Sequence, residues 1–207
     1  MNKLCRFAAI AAVVAAASAF ATDASANPFA WLGLGYTPTD NGNEVRADLR
    51  RVTVDYPTNE APGTVVVDTA NTYLYYVLPG GKAIRYGIGV GREGFTWSGV
   101  KTVERKSEWP DWTPPAEMIA RAPYLPRFMA GGPTNPLGAR AMYLSGSFYR
   151  IHGTNAPGTI GTRATAGCIR MVNEDVIDLY DRVKVGAKVV VLPAPERSAA
   201  AGFTWFR

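Results

Sequence analysis

The chain has 207 residues, a formal charge of +5 and 47% hydrophobic residues, which suits one domain with a sizeable core. Its basic residues are scattered, with no basic stripe interleaved with aromatics, so nucleic-acid binding is not expected. One histidine and two cysteines are too few for a zinc site unless carboxylates complete it, and with no iron–sulfur or haem motif present neither metal nor cofactor is expected.

The N-terminus reads as a secretory signal peptide over residues 1–26. Lys3 and Arg6 precede an apolar, alanine-rich run from Phe7 to Phe20 and then the small-residue stretches "AFA" and "ASA", so cleavage is expected after Ala21 or Ala26. The run is shorter than the ~20 residues a membrane-spanning helix needs, and no stable membrane anchor is expected after cleavage. Cys5 precedes the apolar run, so it is not placed as a lipoprotein cysteine. Its loss would leave Cys168 as the lone thiol of an exported chain of about 181 residues. Such a thiol is protected by burial, paired between chains, or used as a reactive group. The expected location is the periplasm.

Residues 27–62, rich in Asn, Asp, Pro and Thr, read as an irregular lead-in. Regular structure begins at "TVVVD" (64–68), followed by "TYLYYVL" (72–78) and "KAIRYGIGVG" (82–91), short β-branched and aromatic runs separated by the turn signals "TAN" and "PGG". "VKTVERKS" (100–107) adds a weaker strand. In "WPDWTPPAEMIARA" (109–122) Thr113 is a possible N-cap and Pro114 a first helical residue. "AMYLS" and "FYRIH" read as strands. In "NEDVIDLYDRV" Asn173 is placed as N-cap, with Val176, Leu179, Tyr180 and Val183 at helical spacing. "AKVVVL" (187–192) is a last strand, and 193–207 reads as a tail. "GVGREG" (89–94) matches a dinucleotide-binding glycine pattern, but "FTWSG" follows where a helix would have to begin, so its glycines are read as room for close backbone approach.

The chemistry gathers in "YRIHGTNAPGTIGTRATAGCIRM" (149–171). His152, the only histidine, ends a strand, and Cys168 follows sixteen positions later after a Gly/Thr-rich loop. An imidazole within reach of a thiol takes its proton or holds it as a thiolate ion pair, and so makes it a nucleophile. Gly167 lets adjacent amides turn toward an oxyanion. Arg170, two residues beyond Cys168, falls on the same face of an extended segment, where it would stabilise the thiolate or receive a substrate carboxylate. Trp109, Trp112 and "GGPTNPLGA" (131–139) are expected to line or cover the substrate groove, with core packing as the alternative for the tryptophans.

These residues, together with "NPLGARAMYL", "TVVVDTANTYLYYV" and "YGIGVGREGFTWSG", resemble the L,D-transpeptidase catalytic domain, or YkuD, family in its Gram-negative branch. The resemblance covers roughly residues 63–192. It implies a mainly β fold, a β-sandwich or barrel-like catalytic domain with one or two short helices. By position it makes Cys168 the nucleophile, His152 the general base, the Gly153 carbonyl the group that orients His152, and the amides of Gly167 and Cys168 the oxyanion hole, while Arg170 stands where the family frequently has an asparagine and its Gram-negative branch an arginine. Ala166 stands where the family pattern has a second histidine. The implied partners are peptidoglycan stem peptides and, as acceptor, either another stem or an envelope protein bearing a lysine. Papain-like peptidases place the cysteine before the histidine, and sortase-like enzymes separate the two much further. A catalytically silent peptidoglycan-binding module of the same fold is the alternative.

Overall fold

The computed structural model describes residues 45–193; the expected signal peptide, and the expected tail beyond residue 193, lie outside the described residues. Eleven strands are found among them: β1 (Val52–Asp55), β2 (Val65–Asp68), β3 (Tyr73–Leu78), β4 (Lys82–Gly87), β5 (Val90–Gly91), β6 (Gly99–Glu108), β7 (Arg140–Leu144), β8 (Arg150–His152), β9 (Arg163–Thr165), β10 (Ile169–Arg170) and β11 (Lys188–Val191). Two α-helices accompany them, α1 (Ala116–Arg121) and α2 (Asn173–Arg182).

Nine strands form one sheet in the order β1-β4-β3-β2-β11-β6-β7-β8-β10. Ten-residue β6 is its hinge. Its first half pairs antiparallel with β11 and its second half with β7, with a register irregularity between Val103 and Arg105. A bulge there increases the local twist and lets one strand serve two half-sheets. Their inner faces share one core: Val65, Leu74 and Tyr86 from one half, Met142, Leu144, Ile151 and Ile169 from the other, and Val176, Leu179 and Val183 from α2 and its end. This is the mainly β, sandwich-like architecture expected. Val65, Val66 and Val67 are all buried, as befits a central strand, here parallel to β11 and antiparallel to β3.

The lead-in is not wholly irregular. A 3₁₀ turn covers Ala47–Leu49, and β1 pairs with β4 from Val52↔Arg85 to Asp55↔Lys82. The edge strand's mostly exposed "VTVD" carries too little apolar alternation to stand out among Asn and Pro. "KAIRYGIGVG" divides into β4 and β5. Helix α1 begins only at Ala116, with Pro115 rather than Thr113 preceding it, because consecutive prolines hold the backbone extended. Helix α2 starts at Asn173 with Val172 as its cap residue and no side-chain cap, so the Asn173 carboxamide is turned elsewhere.

Candidate active site

Strands β8 and β10 run parallel, with Ile151 opposite Ile169 and His152 opposite Arg170. Both isoleucines are buried in the core. Side chains alternate across a strand, so Arg150, His152, Cys168 and Arg170 project from the other face. All four line one cavity of about 520 Å3. Its remaining wall includes Arg92, Trp112, Met118, Arg121, Leu137 and Tyr149, and among the described residues no acidic side chain lines it.

His152 is 4% exposed, and its Nδ1 lies 2.6 Å from the Gly153 carbonyl oxygen. A carbonyl only accepts, so this bond favours the ring proton on Nδ1, while the Leu137 backbone is a second acceptor near the ring. Burial, helped by the Arg170 charge, pushes the imidazole down to about 3, against the opposing pull of the Gly153 carbonyl. Cys168 is a free, half-buried thiol. Burial raises it above the ordinary thiol range, while Arg150, by charge and a backbone hydrogen bond, and Arg170 oppose that rise. Burial thus favours the neutral form of both groups.

Gly167 has φ +101°, and a Cβ there would strike the Tyr149 ring. Its carbonyl accepts from Trp97 Nε1 at 2.8 Å, and the Trp97 ring stacks on Tyr149 with centroids 4.6 Å apart. The Gly167 amide donates to Thr165 Oγ1 at 3.2 Å, and that hydroxyl donates to the Cys168 carbonyl at 2.6 Å. The Gly167 amide, one of the two expected to receive an oxyanion, is thus engaged with Thr165 and shapes the turn that leads to Cys168.

Arg170 Nη1 donates to Thr159 Oγ1 at 2.9 Å, whereas its buried Nε has no hydrogen-bond partner. Trp112 lines the cavity and Trp109 does not. Trp109 adopts φ +39° and is 43% exposed; its amide bonds to the Ala139 carbonyl, so it closes the loop's base instead. From "GGPTNPLGA" only Pro136 and Leu137 reach the cavity. Gly89 and Gly91 do provide close approach: Gly89 exchanges two backbone hydrogen bonds with Arg170, and a Cβ on Gly91 would strike Phe95 O. Sequence reasoning missed Arg150, Trp97, Tyr149 and Thr165. Of these, Arg150 had a usable signal, its place two residues before His152 on a strand.

The family model described as the L,D-transpeptidase catalytic domain matches residues 62–191. The chain is 42% identical over 140 residues to a protein named "Probable L,D-transpeptidase ErfK/SrfK" of Escherichia coli, covering 63% of this chain and 44% of that one, so the match spans less than half of that relative. A solved structure described as a "Probable carnitine operon oxidoreductase caia" from Brucella melitensis is 46% identical, covering 73% of this chain and 99% of that one, but superimposes loosely, with a TM-score of 0.49. The catalytic domain of the Enterococcus faecium L,D-transpeptidase has the same fold at 21% identity, with a TM-score of 0.51 over 65% of this chain and 100% of that one. Half-sheets hinged at β6, a shared core and a family match across nearly all of the regular structure lead to one assignment: the chain belongs to the L,D-transpeptidase catalytic domain family.

Proposed function

We propose that this chain is a periplasmic L,D-transpeptidase that acts on peptidoglycan stem peptides, with residues 1–26 as its signal peptide and 63–192 as its catalytic domain. The observation that carries the reading is the shared face of β8 and β10, which sends His152 and Cys168 into one cavity while a backbone carbonyl holds the far side of the imidazole. A cavity lined by several arginines and, among the described residues, by no acidic side chain suits a peptide that carries carboxylates.

In this reading His152 Nε2 takes the Cys168 thiol proton as Sγ attacks the carbonyl of the third residue of a tetrapeptide stem. The C–S bond forms, and the carbonyl electron pair moves to oxygen, which the Cys168 amide receives. Collapse breaks the peptide bond, and the imidazolium gives its proton to the departing D-alanine amine. A thioester on Cys168 remains. The acceptor amine attacks it, His152 takes the amine proton, and the thiol is restored as the new amide forms. A stem amine gives a 3–3 cross-link; a lysine of an envelope protein gives an anchored protein. Arg170 holds a substrate carboxylate, and Trp112 forms an apolar wall.

Incubation with disaccharide-tetrapeptides and mass analysis of the products tests the proposal. Loss of D-alanine with dimer formation is expected. Unchanged muropeptides, bound equally well by wild type and a Cys168→Ser variant, would favour the silent module.

A further inference from the structure

We propose that Asn173 is a positioning residue for His152, acting through the peptide bond between Gly153 and Thr154. This rests on the reading of His152 as the general base, and it identifies what holds that base in its working form.

The Asn173 carboxamide oxygen accepts from the Ala139 amide at 2.9 Å and from the Thr154 amide at 3.2 Å. It therefore joins the end of the 131–139 loop to the segment that follows β8. The Gly153–Thr154 peptide is trans, so its N–H and its C=O lie in one plane and point in opposite directions. With the N–H held by Asn173, the Gly153 carbonyl is aimed the other way, where it meets His152 Nδ1 at 2.6 Å. The Asn173 oxygen thus aims the carbonyl that draws the ring proton to Nδ1, beside the second backbone acceptor at Leu137.

Two glycines make room for this oxygen. Gly138, at φ +63°, would drive a Cβ into Asn173 Oδ1, the Thr154 amide and Gly153, and a Cβ on Gly153 would strike the same oxygen. The donor of the oxygen is itself fixed, because Asn173 is the first residue of α2, whose Val176 and Leu179 are fully buried in the core. Helix α2 has no side-chain cap hydrogen bond, so the carboxamide of its first residue is turned to two amides outside the helix instead. An N-cap role, the reading that the sequence invited, leaves both of these bonds without a reason.

The chain's single histidine makes the test direct. In the untagged protein labelled with ¹⁵N-histidine, one ring gives one pair of nitrogen signals, and these report the tautomer. Wild type should carry its proton on Nδ1. Asn173→Ala should populate both tautomers, and alkylation of Cys168 by iodoacetamide at pH 8 should slow by about 10- to 100-fold, the size expected when a catalytic group is displaced by a fraction of an ångström to an ångström. Asn173→Asp, which keeps an oxygen acceptor, should restore the Nδ1 proton. If Asn173→Ala does not fold, Asn173→Ser, whose oxygen is too short to reach both amides, is read in its place. A pure Nδ1 tautomer with alkylation within about twofold of wild type in either variant would overturn the proposal, and so would a wild-type ring protonated on Nε2. No transpeptidation enters the readout, so a failure of the proposed activity would leave the tautomer result standing.

Discussion

Arg170 lies opposite His152 across the parallel β8 and β10 pair, and its charge adds to burial in keeping the imidazole neutral down to about pH 3. The same cation, with Arg150, works against the rise in the Cys168 thiol that burial causes. One guanidinium therefore makes the imidazole a weaker base and the thiol more acidic. Arg170→Met should move both in the other direction. The ¹⁵N titration of His152 should shift to higher pH, and Cys168 alkylation should need a more alkaline medium than in wild type. Arg170→Lys keeps the charge but gives up the planar fork and its bond to Thr159, so it should fall between the two. Titrations of Arg170→Met that match wild type would show that the guanidinium does not reach the pair.

Neutral burial of His152 also ties stability to pH. The unfolded imidazole takes up its proton near 6.5 and the folded one only near 3, so between those values the unfolded state holds more protons and stability falls as pH falls. Asp175, held up to about 6 mainly by burial, contributes in the opposite sense as pH drops from 6 toward its ordinary value, and it is common to wild type and variant. The comparison that isolates the histidine is therefore wild type against His152→Gln. Denaturant melts should show wild type losing on the order of 3 kcal/mol more than the variant between pH 6.5 and 4. Parallel losses in the two proteins would mean that the ring charges without cost.

Gly167→Ala places a side chain at φ +101° and against the Tyr149 ring. Strain and collision together should cost about 2–4 kcal/mol. Trp97→Phe is the milder probe, since it keeps the stack on Tyr149 but deletes the bond to the Gly167 carbonyl. Its cost should be about 1–2 kcal/mol, with a larger proportional loss in the proposed acylation rate because Gly167 forms the turn just before Cys168. Thermal melts and acylation rates on the same preparations check both.

The two tryptophans of "WPDW" should separate. Trp112→Ala removes a wall of the cavity and should raise KM for the peptide donor several-fold with little change in melting temperature. Trp109→Ala, at a half-exposed position outside that wall, should act mainly on stability through the strained loop base. Equal effects of both on KM would mean that the cavity extends beyond its present lining.

Much of this could be read from the chain because the signals were local. Alternating β-branched and aromatic runs marked β2, β3, β4 and β11, and Val176, Leu179 and Val183 marked the buried stripe of α2. His152, Cys168 and Arg170 stood out by residue type and by the strand-like spacing around them. What the sequence withheld was tertiary. β10 is two residues long, and β1 lies exposed at an edge; each owes its place to a partner strand far along the chain. The hydroxyl of Thr165 meets the Gly167 amide only once the turn has closed, a contact that residue type and spacing do not announce. The left-handed backbone at Trp109 is unusual for an aromatic residue and comes from the loop packed beneath it, where a Cβ on Gly131 would strike its carbonyl. Asn173 looked like a cap because helix starts favour that residue type, while its actual partners lie 34 and 19 residues away.

Intact-protein and peptide mass analysis after brief exposure to a tetrapeptide stem tests the proposed chemistry most directly. Wild type should gain the mass of the donor less D-alanine, on the peptide that contains Cys168. Cys168→Ser should gain nothing, since a lone imidazole ionises a hydroxyl poorly. His152→Ala should form the same adduct about 100- to 10,000-fold more slowly. An adduct that persists in folded Cys168→Ser, or its absence from folded wild type, would contradict the assignment of Cys168 as the nucleophile.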